Sequence, residues 1–227
     1  MLERKRETLT YLDYSGGAAE GAPLLIMLHG YGSNEKDLIS LAPALDRRLR
    51  VMSLQAPMQM GHEMYGWFPI EFTGNGISVD REAAVRARDL LIRFLRETIA
   101  ETQPAGNRVF LMGFSQGAVM NYLTAFSEPG LLHGVLSLSG QLPDNRPEPV
   151  GMPSGLHELP FLVVHGLYDD VLPIDKGREA ERWLKSNVQE LTYREYPMGH
   201  EIDEESLALV ASWLRAKIDR LEEGDRV

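Results

Sequence analysis

One strand-to-helix junction constrains the fold more than any other stretch of this sequence. The apolar run at 109–112 is typical of a buried strand, and apolar residues at helical spacing follow it from Val119 to Phe126. Between them stands Gly-x-Ser-x-Gly, in which Gly113 and Gly117 flank Ser115. Small residues on both sides of the serine let a strand and a helix pass close together, so that the hydroxyl projects from a strained turn. The junction therefore predicts a strand–turn–helix unit with an accessible serine.

Other apolar runs alternate with helical patterns along the whole chain. Strands are predicted at 8–14, 24–28, 51–56, 135–140, 161–164 and 191–196, and helices at 38–49, 80–102, 174–186 and from 203 onward. Asp80 and Asp203 are predicted to cap the helices that they precede. This alternation predicts one α/β domain over residues 1–227, built on a mostly parallel, doubly wound sheet with helices on both faces.

Two segments lack a clear period and are predicted to be loops. The segment 57–79 is rich in Met and aromatic residues, and we expect it to face the substrate. Predicted substrate-binding residues are Met64, Trp67 and Phe68 from this segment, and Leu172 from a later turn. The same apolar side chains also fit a cluster that only covers the core, or a homodimer contact. The segment 142–160 contains five prolines and is predicted to be a Pro-rich loop rather than a second domain.

Composition excludes several classes of function. The chain has no cysteine, which removes disulfides, a cysteine nucleophile and thiolate metal sites. Its formal net charge of −10, without a basic cluster, argues against nucleic acid as a partner. The N-terminal residues lack the apolar segment of a signal peptide, and the longest aliphatic run, 24–28, is too short for a bilayer. We expect a cytoplasmic protein without stable membrane insertion.

Three residues with complementary chemistry each follow a predicted strand. Ser115 comes first, Asp169 follows a later strand, and His200 follows the last one. Because the carboxyl ends of parallel strands share one sheet edge, we expect the three side chains to meet there, in the order Ser–acid–His of α/β-hydrolases. His200 would act as the base, and Asp169 would orient it. Competing residues are Asp170 and Glu201 for the acid, and His62, His133, His157 and His165 for the base.

A Gly-rich segment directly follows the predicted strand at 24–28. It begins His29-Gly30-Tyr31-Gly32, and we expect the N–H of Tyr31 to point at a substrate oxygen. The N–H of Gln116, at the start of the helix after the serine, is the predicted second donor of this oxyanion hole. The ring of His29 is interpreted as structural.

The chain resembles the phospholipase/carboxylesterase family of α/β-hydrolases, which includes acyl-protein thioesterases. The resemblance is carried by LHGYGSNEKDL (28–38), GFSQGA (113–118), LSLSG (136–140), HGLYDDVLPI (165–174) and MGHEI (198–202). It implies Ser115, Asp169 and His200 as the catalytic triad, with Tyr31 and Gln116 as oxyanion donors. The acid of the family lies four residues after the histidine of the HG pair, which favours Asp169 over Asp170.

The resemblance implies the α/β-hydrolase fold and a serine esterase that needs no cofactor or metal. Many members have an aspartate after the Trp-Phe pair, whereas Pro69 follows Trp67 and Phe68 here. We therefore expect a small-molecule ester as the substrate, with a short to medium acyl chain or an aryl group; a lysophospholipid or a thioester is also compatible. Two alternatives are a lactone or dienelactone-type hydrolase and a catalytically silent ligand-binding module on the same fold.

Overall fold

The computed structural model describes residues 2–6, 8–73, 76–104, 108–144, 146–148 and 151–224. Its strands are β1 (Leu2–Arg6), β2 (Thr10–Tyr14), β3 (Leu24–Leu28), β4 (Arg50–Leu54), β5 (Met58–Gly61), β6 (Met64–Gly66), β7 (Ile70–Thr73), β8 (Gly76–Val79), β9 (Val109–Phe114), β10 (Gly134–Leu138), β11 (Phe161–Gly166) and β12 (Leu191–Tyr196). The α-helices are α1 (Lys36–Ile39), α2 (Arg81–Thr102), α3 (Gln116–Ala125), α4 (Asp175–Asn187) and α5 (Glu204–Gly224). Short 3₁₀ turns lie at Ala42–Ala44 and Pro129–Leu131.

In the described part of the chain, eight strands form the main sheet, in the order β1-β2-β4-β3-β9-β10-β11-β12. Six neighbouring strands, β4, β3, β9, β10, β11 and β12, are parallel, whereas β2 pairs antiparallel with β4 on one side and with the edge strand β1 on the other. After β3 the chain first adds β4 on one side, and later places β9 on the other side. The strand order therefore reverses between β3 and β9, and a ligand crevice in an open α/β sheet forms at such a point.

Two apolar layers cover the two faces of the sheet. Leu24, Ile26 and Leu28 of β3 pack in the layer that includes α2, α3 and α4. Leu25 and Met27 of the same strand pack in the layer that includes α1 and α5. Such continuous apolar runs suit strands that are buried on both faces. The predicted doubly wound α/β-hydrolase architecture is confirmed.

The helix predicted at 38–49 is wrong. The α-helix covers Lys36–Ile39, and a 3₁₀ turn at Ala42–Ala44 replaces its continuation. Pro43 lies in that turn, and proline in a helix interior lacks an N–H and clashes with the preceding turn. The apolar spacing indicated a longer helix, but the proline decides where the helix ends.

The segment 57–79 is not a structureless loop. It forms two antiparallel hairpins, β5–β6 and β7–β8, outside the main sheet. A register shift between Gln59 and Gly61 interrupts the alternation of the first hairpin, which explains why no strand period is visible. Residues 74 and 75 of this segment lie outside the described residues.

The edge strand β1 was not predicted, because its charged sequence has no apolar face; charge is common on edge strands. The Pro-rich segment 142–160 contains no α-helix or β-strand among its described residues, which exclude 145, 149 and 150.

Within the described part of the chain, no helix has both the length and the apolar character that crossing a bilayer requires.

Candidate active site

Ser115 occupies the sharp turn between β9 and α3. Its backbone adopts φ 55° and ψ −117°, a conformation that is strained for a residue with a side chain. The flanking glycines are required by space: a Cβ on Gly113 would lie 2.6 Å from the Ala118 nitrogen, and one on Gly117 would lie 2.6 Å from the Leu28 carbonyl carbon. The Gly-x-Ser-x-Gly pattern therefore has a packing reason on both sides of the serine.

The side chains of Ser115, His200 and Asp169 lie in one hydrogen-bonded line. His200 Nε2 is 2.9 Å from Ser115 Oγ, and His200 Nδ1 is 2.7 Å from Asp169 Oδ2. His200 follows β12 and Asp169 follows β11, so both reach the serine from the carboxyl edge of the sheet. The ring of Phe114 lies 4.8 Å from the imidazole of His200, measured between centroids, and packs against it. The structure thus brings together the three predicted residues.

The carboxylate of Asp169 is held in place by its own turn. Its Oδ1 accepts the N–H groups of Val171, at 3.0 Å, and Leu172, at 2.8 Å, which leaves Oδ2 facing the imidazole. The side chain of Asp169 is fully buried. A carboxylate fixed in this way selects the tautomer in which His200 Nδ1 carries the proton and Nε2 accepts from the serine hydroxyl.

Among the described residues, none of the competing residues hydrogen-bonds to Ser115 or His200. Asp170, Glu201, His62 and His157 are exposed, and His157 Nδ1 bonds the Asn187 carbonyl at 3.1 Å. His133 packs its ring against Phe110, and burial is the main cause that lowers its pKa. Among the hydrogen bonds of the described residues, only His200 provides a ring nitrogen to Ser115.

His165 has a supporting position that the sequence analysis did not identify. Its ring is fully buried, and Nε2 donates to the Leu172 carbonyl at 2.7 Å while lying 3.5 Å from Asp169 Oδ2. Burial lowers the pKa of His165, which favours the neutral ring. Gly177 of α4 makes room for it, since a Cβ there would lie 2.7 Å from the imidazole. His165 therefore stabilises the turn that carries Asp169. Its position four residues before Asp169 in the sequence was the signal that could have indicated this role.

The segment after β3 lies against the serine turn. A Cβ on Gly30 would lie 3.3 Å from Ser115 Cβ, so the two segments are in direct contact. Among the described residues, no hydrogen bond uses the N–H of Tyr31 or of Gln116, and Gln116 is the first residue of α3. The buried ring of His29 accepts the Ala56 N–H at 3.0 Å and lies 2.7 Å from the Gly30 carbonyl, and burial lowers its pKa. Tyr31 directly follows Gly30 and Gln116 directly follows Ser115, so both predicted oxyanion donors belong to residues next to this contact.

Comparison with known proteins places this chain in a family. The family model described as Phospholipase/Carboxylesterase matches residues 15–218. The chain belongs to the phospholipase/carboxylesterase family. Two curated relatives of this family member are acyl-protein thioesterase 1 of Gibberella zeae, 26% identical over 88% of this chain and 93% of the relative, and a probable carboxylesterase of Oryza sativa subsp. japonica, 24% identical over 88% and 80%.

Solved structures agree with this family fold. A carboxylesterase from Mesorhizobium loti superposes with a TM-score of 0.81 over 94% of this chain and 98% of that chain, at 18% identity, which shows the shared fold alone. The esterase PE8 is 27% identical, with a TM-score of 0.75 over 95% of this chain and 98% of that chain. This phospholipase/carboxylesterase family member is an enzyme of the esterase class of hydrolases.

The predicted substrate-binding residues of this family member lie in different environments. Trp67 and Phe68 are 2% and 1% exposed and belong to the core layer, with the indole N–H of Trp67 donating to the His29 carbonyl at 2.9 Å. Leu172 is also buried, in the turn of Asp169. Met64 is 46% exposed, and its methyl group lies beside Gly32 of the segment after β3. Their role in binding substrate stays a prediction.

Proposed function

We propose that this chain is a serine carboxylesterase that hydrolyses acyl or aryl carboxylic esters through a Ser115–His200–Asp169 triad and an acyl-enzyme intermediate. The observation that carries the proposal is the position of the His200 imidazole, 2.9 Å from the Ser115 hydroxyl and 2.7 Å from the Asp169 carboxylate. A hydroxyl is a weak nucleophile at neutral pH, and a base within hydrogen-bond reach is what activates it.

Acylation follows from this geometry. As Ser115 Oγ attacks the ester carbonyl carbon, His200 Nε2 takes its proton, and the electrons of the carbonyl double bond move onto oxygen. The N–H groups of Tyr31 and Gln116 donate to that oxyanion, and Asp169 stabilises the imidazolium. When the double bond re-forms, the alkoxide leaves with the proton of His200, and the acyl group stays on Ser115.

Deacylation repeats the same steps with water as the nucleophile. His200 takes a proton from water as its oxygen attacks the acyl carbonyl carbon, and the oxyanion again lies between the two N–H donors. Collapse of the intermediate breaks the bond to Ser115 Oγ, which recovers its proton from His200. The products are a carboxylic acid and an alcohol, and the enzyme returns to its starting state.

The substrate class that we propose is a short- to medium-chain acyl ester or an aryl ester. The exposed Met64 beside the oxyanion segment offers apolar contact to such a group. The relatives named acyl-protein thioesterase make a thioester an alternative leaving group. A lactone hydrolase would use the same triad, and a silent module would bind the ester without turnover.

Hydrolysis of p-nitrophenyl esters of graded chain length tests the proposal. Ser115→Ala is expected to lower the turnover number by as much as ~10⁶-fold, which is typical for loss of a triad serine. Ser127→Ala is the matched control, because it also removes a hydrogen-bonded serine hydroxyl, one that donates to the Leu123 carbonyl and lies outside the site. Equal, slow rates for wild type and Ser115→Ala on every ester would refute the esterase proposal. A maximum at the longest, palmitoyl chain would refute the proposed chain length.

A further inference from the structure

We propose that the side-chain amide of Gln116 is a positioning group for the oxyanion hole. It would couple the N-terminus of α3, which supplies one N–H donor, to the segment 29–33, which supplies the other. The inference rests on the proposed function, since it concerns the same two donors. It assigns a task to the side chain of Gln116, whereas the proposed mechanism uses only its backbone.

The amide of Gln116 makes two buried hydrogen bonds to one stretch of backbone. Its Oε1 accepts the N–H of Trp67 at 2.8 Å, and its Nε2 donates to the carbonyl of Phe68 at 2.7 Å. Gln116 is 5% exposed, and both partner residues are buried. Hydrogen bonds away from water hold their geometry firmly, because breaking one leaves a buried polar group without a partner. The residues 67–68 are thereby fixed to the first residue of α3.

The same stretch of backbone is bonded to the oxyanion segment. The indole N–H of Trp67 donates to the His29 carbonyl at 2.9 Å. Tyr65 adds two backbone bonds: its carbonyl accepts from Gly32 at 2.8 Å, and its N–H donates to the Ser33 carbonyl at 2.8 Å. The bonded positions 29, 32 and 33 enclose Tyr31, which carries the second donor.

These contacts form a closed connection between the two donors. It runs from Gln116 through residues 65–68 to residues 29–33, and the direct contact of Gly30 with Ser115 completes it. Two donors on separate segments must hold a fixed separation to bind one oxyanion, because preorganised donors contribute only when they are already aimed at it. The Gln116 amide is the side chain that joins α3 to this connection.

Substitution of the Gln116 side chain separates positioning from donation, because every residue other than proline keeps the backbone N–H at 116. Gln116→Met preserves the length of the side chain and removes both hydrogen bonds. Asn121→Leu is the matched control: Asn121 lies on the same helix, is fully buried and donates to the Leu136 carbonyl at 2.7 Å, but does not reach residues 65–68. Both variants lose a buried side-chain-to-backbone bond, so both are expected to lower the melting temperature.

A fall in kcat without a change in KM identifies a positioning role. For Gln116→Met we expect kcat to fall by about 10- to 100-fold with KM nearly unchanged, since misplacement by about 1 Å is enough for such a loss. The inhibition constant of a trifluoromethyl ketone, which forms an anionic adduct with Ser115, should rise by a similar factor. Asn121→Leu should leave both quantities near the wild-type values.

Two results would overturn the inference while leaving the proposed function intact. One is a folded Gln116→Met enzyme with wild-type kcat and ketone affinity, measured where Ser115→Ala is inactive. The other is an equal loss of kcat in Asn121→Leu. Failure of the proposed function looks different, because wild type itself would then show no hydrolysis that depends on Ser115.

Gln116→Glu provides a second test that does not require Gln116→Met to fold. Its carboxylate keeps the acceptor for Trp67 but repels the Phe68 carbonyl, and protonation restores a donor. Burial favours the protonated carboxyl, so the kcat ratio of this variant to wild type should rise as the pH falls from about 8 to about 6. A ratio near one over this whole range would overturn the inference.

Discussion

The substitution Gly117→Ala tests the packing of the serine turn, because helix propensity and close packing predict opposite changes in the free energy of unfolding. Gly117 lies in the first turn of α3. On helix propensity alone, alanine is better than glycine by roughly 1 kcal/mol, so the free energy of unfolding should rise. In the folded protein, however, a Cβ at this position would overlap the Leu28 carbonyl group, whose carbon would be 2.6 Å away.

The magnitude follows from that distance. Ordinary contact begins at 3.4 Å, so the start of α3 and the end of β3 must separate by at least about 0.8 Å, and by more to clear the Leu28 carbonyl oxygen, which lies nearer still. Overpacking of a well-packed interior costs typically ~1–3 kcal/mol, and the atoms here are backbone atoms that cannot rotate away. After the helix-propensity gain of roughly 1 kcal/mol, we expect a net loss of up to about 2 kcal/mol in unfolding free energy. The displacement also moves Ser115 and Gln116, which should lower kcat by as much as ~10²-fold.

Urea unfolding and ester hydrolysis measure the two effects. Gly130→Ala is the control, since Gly130 has no neighbouring atom within 4 Å of a Cβ and lacks a positive φ. There we expect unchanged activity and a stability gain of up to ~1 kcal/mol. A Gly117→Ala enzyme that is more stable than wild type and equally active would refute the reasoning that the glycine is needed for close approach.

Two further predictions concern the acid and the buried His165. Asp169→Asn should lower kcat by roughly 10⁴-fold, while the neighbouring and exposed Asp170→Asn should stay close to wild type in the same ester assay; the reverse order would contradict the assignment of the acid. Burial lowers the folded-state pKa of His165, so the unfolded chain binds this proton more tightly than the folded chain does. The contribution of the buried, neutral ring to the free energy of unfolding is therefore fully present above about pH 6.5 and is lost as the pH falls below it. His165→Gln keeps a donor for Leu172 but cannot titrate, and unfolding free energies measured across this range should depend less on pH than in wild type; an unchanged dependence would contradict the assignment to His165.

The sequence by itself determined the elements whose signals are local. Apolar runs predicted most of the parallel strands, and alternation predicted β12. Asp80 and Asp203 cap α2 and α5 as predicted, and the Gly-x-Ser-x-Gly turn has the strained backbone expected of it. Each of these signals lies within a few residues of the structure that it specifies. The order of Ser115, Asp169 and His200 along parallel strands was also enough to predict that they share one sheet edge.

Only the tertiary structure decided what depends on contacts between distant segments. The hairpins in 57–79 were not predicted, because their short strands have a shifted register, and their residues 65–68 are held by partners at 29–33 and 116. Trp67 and Phe68 appeared equally suited to a pocket wall or to the core, and burial placed them in the core layer. Hydrogen bonds between residues far apart in sequence leave no periodic pattern, so the connection through Gln116 becomes visible only in three dimensions.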